Sequence, residues 1–397
     1  MISLDQALDR LLAYQATPLP VERVATLDAL GRVLAEPLVS DLAVPPLANS
    51  AMDGYAVRCA DLASIPATLP ISQRIQAGQL AQPLAPASVA RIFTGAPIPS
   101  GCDAIVPQED ARQQGDQVTL MAAPRPGQWI RPAGLDIAPG ARVLAAGARL
   151  RPPHLGVAAS IGATRLPVYR RLRTAVLFSG DELTMPGDPL PPGRIYNSNR
   201  FLLCALLRSL GCEVVDLGIV PDQAEATRRA VVSAAGQADL VISSGGVSVG
   251  EADFVRAAVQ QEGAIDLWQI AIKPGKPFAF GRVREVPFIG LPGNPVSALV
   301  TFAMLARPLI LKLQGAAETM PHPIPVRADF EVERPESRRE FLRVRLTAQG
   351  TLEAFPVQNS AVLTSATWAD GLADIAAGRR VSKGDEVGYL SFAELFG

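Results

Sequence analysis

Histidine is nearly missing from this sequence: His154 and His322 are the only two in 397 residues, and each stands beside a proline. That leaves little room for a histidine-based triad or a histidine-rich metal centre. Cysteine is scarce too. Cys59, Cys102, Cys204 and Cys212 form no CxxC pair or other metal-ligand spacing, so they read as reduced thiols of a cytoplasmic protein. Neither sign of charge is in surplus: 37 basic residues against 38 acidic ones leave a net charge of −1. This argues against a nucleic-acid partner held by overall electrostatics. No segment approaches the roughly 20 uninterrupted apolar residues of a membrane span. The opening MISLDQALDRLL carries acids rather than a signal-peptide run. Chemistry is left to carboxylates, lysines, hydroxyls and a hard cation.

What is present is apolar mass, 48% of the chain, enough for several cores at a length that suggests about two to four domains. Ser3 and Gln6 stand in capping-box spacing, with Leu4, Ala7, Leu8, Leu11 and Leu12 on one helical face. A second helix is expected over 27–35, capped by Thr26 and stopped before Pro37. Residues 1–40 and 141–172, with a further helix near 154–161, read as a helical linking region. His154 would pack or cap near that helix's start, and His322 falls in a linker. Between the two pieces, 41–140 is dense in proline and glycine and lacks helical period, which reads as an inserted small β domain.

From Arg173 onward strands alternate with helices. Strands are expected at 174–178, 214–220, 240–242, 265–272, 278–283 and 286–291. Helices are expected at 199–210, 223–235 (with Asp222 as cap) and 296–313. The pattern predicts a central α/β domain over 173–320 with a parallel sheet and right-handed crossovers. Residues 321–397 return to short alternating stretches and read as a compact C-terminal β domain.

The chain is organised around 239–254, DLVISSGGVSVGEADF. A buried strand leads into a loop of small residues and then an acidic helix start. Gly245, Gly246 and Gly250 let the backbone approach a ligand closely. Ser243, Ser244 and Ser248 add hydroxyls, and a helix N-terminus offers free N–H groups. Together they suit an oxyanion such as phosphate at the carboxyl end of a strand. Asp253, just inside the helix, adds a carboxylate that suggests a bridging cation. Taken alone, the loop says anion site and no more.

In a parallel sheet the loops 179–182, 243–250, 273–276 and 291–294 would share one crevice. That would gather Glu182, Asp222 and Asp253 with Lys273 and Lys276. Such carboxylates suit Mg²⁺ shared with substrate phosphates, and the lysines suit an oxyanion. Pro292 and Asn294 turn the chain, and Pro295 fits the first helical turn, leaving N–H groups for an anion. Asp53, before Gly54, reads by itself as a turn aspartate.

All of these residues except Asp222, which is placed by its distance from the Ser-Gly-Gly loop, lie in motifs that resemble the bacterial MoeA family, and the similar E domain of gephyrin. They are NSAMDGYA at 49–56, FTGAPIPSGCDAIVPQED at 93–110, FSGDEL at 178–183, SSGGVSVGEADF at 243–254, IKPGKPFAFG at 272–281 and GLPGNPVSALVTF at 290–302. They occur in family order, and the resemblance spans essentially the whole chain. It implies four domains, a C-terminal domain of β-barrel type and an elongated homodimer. The cleft would lie between the α/β domain of one subunit and the inserted β domain of the other, so that Asp53, Thr94 and Asp136 reach across. It implies the reaction as well: adenylylated molybdopterin and molybdate bind, a Mg²⁺-dependent step releases AMP, and molybdenum enters the dithiolene. Glu182, Asp222 and Asp253 would work on metal and substrate. Lys273, Lys276, Arg343 and Ser365 would hold molybdate or phosphate. A molybdopterin adenylyltransferase is the upstream partner the resemblance implies.

Three positions depart from the family pattern: Gln269 where a lysine is usual, Asn197 where an aspartate is usual, and Phe178 in place of a small polar residue. Two rival readings use the same loop. A molybdopterin adenylyltransferase would need only the central stretch, and a gephyrin-type scaffold would be expected to carry a second α/β domain and a long linker.

Overall fold

The computed structural model describes residues 1–246 and 254–397. Its central sheet runs in the order Glu213–Val220, Arg173–Ser179, Leu240–Ser244, Val286–Leu291, Pro277–Val283, Gly263–Gln269. The first four strands are parallel, and the last two alternate in direction. The sheet is therefore mixed, a correction to the all-parallel expectation. The cause is local: only Arg284 and Glu285 separate two strands, and so short a link joins antiparallel neighbours. Arg284 takes the left-handed conformation, φ +53°. One consequence bears on the site. Gly263–Gln269, antiparallel to an antiparallel strand, ends at the same sheet edge as the parallel strands.

Side-chain alternation splits the sheet's two faces. Val176, Phe178, Leu240 and Ile242 pack with Leu203, Leu207, Leu299 and Phe302 on one side, while Ala175, Leu177 and Val241 pack with Val231, Val255 and Val259 on the other. The helices Ser198–Ser209 and Pro295–Thr301 thus cover the first face, and Ala224–Gln237 and Phe254–Glu262 the second. The run Pro295–Leu313 is long and apolar enough to cross a membrane, yet 94% of it is buried inside the protein as a core helix. A π-helical turn interrupts it at Phe302–Ala306.

The first helix, Leu4–Leu12, has the expected capping box between Ser3 and Gln6. Its leucines Leu4, Leu8 and Leu11 join the central core rather than a separate helical region. The expected helix over 27–35 is reduced to a 3₁₀ turn, Thr26–Ala29, because Leu30 is already extended and Gly31 sits at φ +73°. What ties 1–40 to 141–172 is strand pairing, Val21–Ala25 against Arg165–Tyr169 and Leu38–Val39 against Arg142–Leu144. The helix Pro152–Ser160 does form, and His154 Nδ1 accepts the Arg151 N–H at 3.0 Å. His154 is thus a cap.

A second six-stranded sheet lies within 54–120, with Tyr55, Val89, Val106 and Val118 among its buried residues. In the C-terminal region, Arg339–Leu346, Thr351–Ala354, Ile324–Ala328, Glu386–Ser391 and Gly371–Ile375 close into a five-stranded barrel. Ile272–Lys273, from the central unit, adds to this barrel alongside Arg339 and Glu340. The central sheet and the barrel are stitched together beside the crevice.

Candidate functional site

Four loops meet at the carboxyl edge of the central sheet. Ser179 pairs with Val220 in register, so the loops that leave their strands run side by side. Asp222 lies in the second of them. The Ser179 hydroxyl donates to Asp222 Oδ1, and the Asp181 N–H donates to Asp222 Oδ2 at 3.2 Å. The Asp222 N–H in turn donates to Asp181 Oδ1 at 3.4 Å. Asp222 therefore does not cap the following helix; Gln223 holds that position without a side-chain bond. Glu182 is exposed, and its carboxylate folds back over Gly180: a Cβ there would lie 2.6 Å from Glu182 Oε2.

Glycine is required next to this acidic edge. Gly245, at φ +85°, faces the Ser179 carbonyl oxygen so closely that a Cβ would stand 2.5 Å from it. Gly246, at φ +66°, abuts Val255 in the same way. These two glycines form the described part of the expected cradle; Ser248 and Asp253 lie outside the described residues. Ser244 corrects the expectation of a free hydroxyl. It is buried, accepts the Asn199 amide at 2.9 Å and donates to the Pro292 carbonyl at 3.2 Å. Asn199 also donates to the Gly293 carbonyl at 2.7 Å, so one amide joins two loops.

Among the described residues no group of three metal-ligating side chains surrounds one point. Asp181, Glu182 and Asp222 still offer hard oxygens within one short stretch of sheet edge. Mg²⁺ commonly needs only one or two carboxylates beside substrate phosphates and its own waters. The donor set fits such an ion. The thiols do not compete as nucleophiles: burial first of all raises Cys59, Cys102, Cys204 and Cys212 to about 11.

A second constellation forms where sheet meets barrel. Lys273 was expected to face an anion, but its Nζ lies 2.8 Å from Glu336 and 3.0 Å from Glu340. Burial would lower its pKa, yet the two carboxylates outweigh that and raise it. Lys276 is exposed on the same loop, whose Gly275 packs against Thr301 of the core helix. Pro292 is buried, Asn294 is exposed, and Pro295 starts the helix at its first position. The N–H groups after Pro295 are not all open: Val296 donates to the Ser360 carbonyl at 3.1 Å, and Asn294 Nδ2 donates to Ser360 Oγ at 3.2 Å.

Arg343 and Ser365, which the resemblance implied as oxyanion ligands, are both fully buried and in contact with each other. Arg343 Nε donates to Ser365 Oγ at 3.2 Å, and its other nitrogens donate to the carbonyls of Phe341 and Asn359. Burial pushes Arg343 down to about 10. Its direct partners here are neutral oxygens, which leaves a desolvated positive charge beside the Ser360 loop. Of the departures, Gln269 is exposed at its strand end, Asn197 caps the helix by accepting the Arg200 N–H at 3.1 Å, and Phe178 is core.

The third group sits apart, in the 41–140 segment. Asp53 Oδ1 accepts both the Thr94 N–H and the Thr94 hydroxyl at 2.8 Å. The backbone bond, then the hydroxyl, holds the Asp53 carboxyl below its ordinary range. Asp136 is exposed, and its N–H donates to the Val44 carbonyl at 2.9 Å. Among the described residues, no hydrogen bond or ion pair joins 41–140 to the central sheet. Among the described residues, Asp53, Thr94 and Asp136 thus share no hydrogen bond or ion pair with Asp181, Glu182 or Asp222.

Sequence reading passed over Ser179, Asp181, Asn199 and Ser360. The SGDE loop was visible as a unit, but which of its side chains faced Asp222 depended on the register of two strands far apart in sequence. Nothing local marks Asn199 or Ser360.

Comparison with known proteins agrees with the geometry. Residues 2–162 match the MoeA N-terminal region (domain I and II), 175–312 a probable molybdopterin binding domain, and 325–392 the MoeA C-terminal region (domain IV). A molybdopterin molybdenumtransferase of Haemophilus influenzae is 44% identical over 358 residues, covering 89% of this chain and 88% of that protein. Molybdopterin molybdenumtransferase 2 of Mycobacterium tuberculosis is 38% identical over 360 residues, covering 87% and 89%. A crystal structure of the molybdopterin biosynthesis moea protein from Pyrococcus horikosii superposes with a TM-score of 0.79 at 30% identity, covering 99% of both chains.

Proposed function

The chain belongs to the molybdopterin molybdenumtransferase family, and from that premise we propose that it inserts molybdenum from molybdate into adenylylated molybdopterin with release of AMP. It is a transferase of molybdenum cofactor biosynthesis. The observation that carries the finer reading is the sheet edge itself, where Asp181, Glu182 and Asp222 stand beside the Gly245–Gly246 turn.

Glu182 and Asp222 would hold Mg²⁺, which when bound polarises the phosphoanhydride and offsets charge on the departing phosphate. Gly245 and Gly246 let the backbone come close to that phosphate. Asp222 and Glu182 would also orient the attacking water by accepting its hydrogen bonds; one carboxylate takes one proton as the water oxygen bonds to the AMP phosphorus, the anhydride P–O bond breaks and the pterin phosphate leaves. At the junction with the barrel, Arg343 gives molybdate a desolvated positive field, and Lys276 supplies an accessible ammonium. Lys273, already shared between Glu336 and Glu340, orients the loop rather than the oxyanion. Metal insertion needs molybdate held close to two sulfurs, so positioning carries much of the catalysis.

Asp53, Thr94 and Asp136 would complete the cleft from a second protomer, a reading supported by the lack, among the described residues, of any hydrogen bond or ion pair linking them to the acidic edge of their own chain. The test is incubation with adenylylated molybdopterin, molybdate and Mg²⁺. AMP release that requires all three supports the proposal. Absence of AMP, or synthesis of the adenylate from ATP and molybdopterin, defeats it.

A further inference from the structure

We infer that Ser179 is a positioning residue, whose hydroxyl holds the Asp222 carboxylate in the single orientation the reaction uses. Ser179 is the last residue of its strand and is buried. Its hydroxyl donates to Asp222 Oδ1, while the Asp181 N–H takes Oδ2. Both oxygens of Asp222 therefore have a neutral donor on the protein side. An aspartate with one donor can swing about its χ angles; one with a donor on each oxygen cannot without breaking a bond.

Ser179 itself has little freedom. Its carbonyl oxygen sits where a Cβ on Gly245 would stand 2.5 Å away, and its Cβ lies 3.5 Å from the corresponding position on Gly246. The serine is thus held between the glycine turn and the carboxylate, and it sets the position of one relative to the other. The same contact separates this role from ligand binding. Ser179 acts through Asp222, the carboxylate that its hydroxyl engages. Outer partners of metal-binding carboxylates commonly matter by about 10–100-fold in affinity or activity when removed.

The test compares Ser179→Ala, Ser179→Thr, Asp222→Asn and the double variant Ser179→Ala/Asp222→Asn with the unaltered protein. AMP release gives kcat and KM, and Mn²⁺ titration followed by electron paramagnetic resonance reports the cation directly. Ser179→Ala is expected to lower kcat about 10–100-fold and to weaken Mn²⁺ binding to a similar degree. Its KM for molybdate stays within about twofold, and its melting temperature stays close to that of the unaltered protein. Ser179→Thr, which keeps the hydroxyl, restores both readouts. The double variant is no slower than Asp222→Asn alone, since the serine has nothing left to hold. If the alanine variant melts early, Ser179→Cys, similar in bulk but a weaker donor, must show the same loss. Unchanged kcat and Mn²⁺ affinity in Ser179→Ala, or additive losses in the double variant, overturn the inference. The kinetic arm rests on the reaction proposed above. An unaltered protein that releases no AMP defeats that reaction and leaves the Mn²⁺ comparison to decide Ser179.

Discussion

At Asp53, two donors from one residue fix one carboxylate oxygen, the Thr94 backbone N–H and the Thr94 hydroxyl, each at 2.8 Å. The backbone bond contributes most to the lowered pKa, and the hydroxyl next. Thr94→Val removes only the second, so the Asp53 carboxyl rises part of the way toward its ordinary 3.8, measurable by NMR titration. The sign follows from linkage. A depressed folded-state pKa adds stability that is present above 3.8 and is lost as pH falls through the folded value. Thr94→Val therefore lowers stability above pH 3.8, neutrality included, and its effect fades as pH falls through the folded value. Sequence alone read Asp53 as a turn residue; it lies in a bend just before the strand Gly54–Val57, where its carbonyl accepts the Gln108 N–H at 3.0 Å. The Thr94 contact, 41 residues away in sequence, has no local signature. Arg343 and Ser365 show the converse. The resemblance named both as oxyanion ligands, and the fold shows both fully buried.

Among the elements, the strand Leu240–Ser244 and its glycines were the most legible, because an apolar run followed by paired glycines has few other solutions. The reason for each glycine was not legible. Gly245→Ala would set a methyl against the Ser179 carbonyl at 2.5 Å in a left-handed backbone. It is expected to destabilise the protein by about 1–3 kcal/mol, seen in thermal or urea melts, and to abolish AMP release. Wild-type stability and turnover in that variant would show the turn to be permissive. The helix expected over 27–35 failed for a related reason. Its apolar pattern was right, but Gly31 at φ +73° redirects the chain into strand pairing. The hairpin at Arg284 likewise made a mixed sheet out of a pattern that reads as parallel. Only Pro277–Val283 is reversed, and it starts at the edge where the other five strands end, which is why the crevice was foreseeable although the topology was not.

In the whole molecule, three groups of motif residues fold into two places. Glu182, Asp222, Gly245 and Gly246 lie at the sheet edge, with Lys273, Asn294, Pro295 and Arg343 at the neighbouring junction with the barrel. Asp53, Thr94 and Asp136 lie in the 41–140 segment. The proposed site, which uses all of them, would draw on a second copy of the chain. The most direct measurement mixes two variants, Asp53→Ala and Asp222→Ala, each purified alone, and allows subunits to exchange. Each variant by itself is expected to release no AMP. In a mixed dimer one composite site carries both changes and the other carries neither, so an equal mixture should regain about a quarter of the unaltered activity. A mixture that stays inactive after exchange has been demonstrated, or an Asp53→Ala variant that is fully active alone, would contradict a cleft shared between protomers.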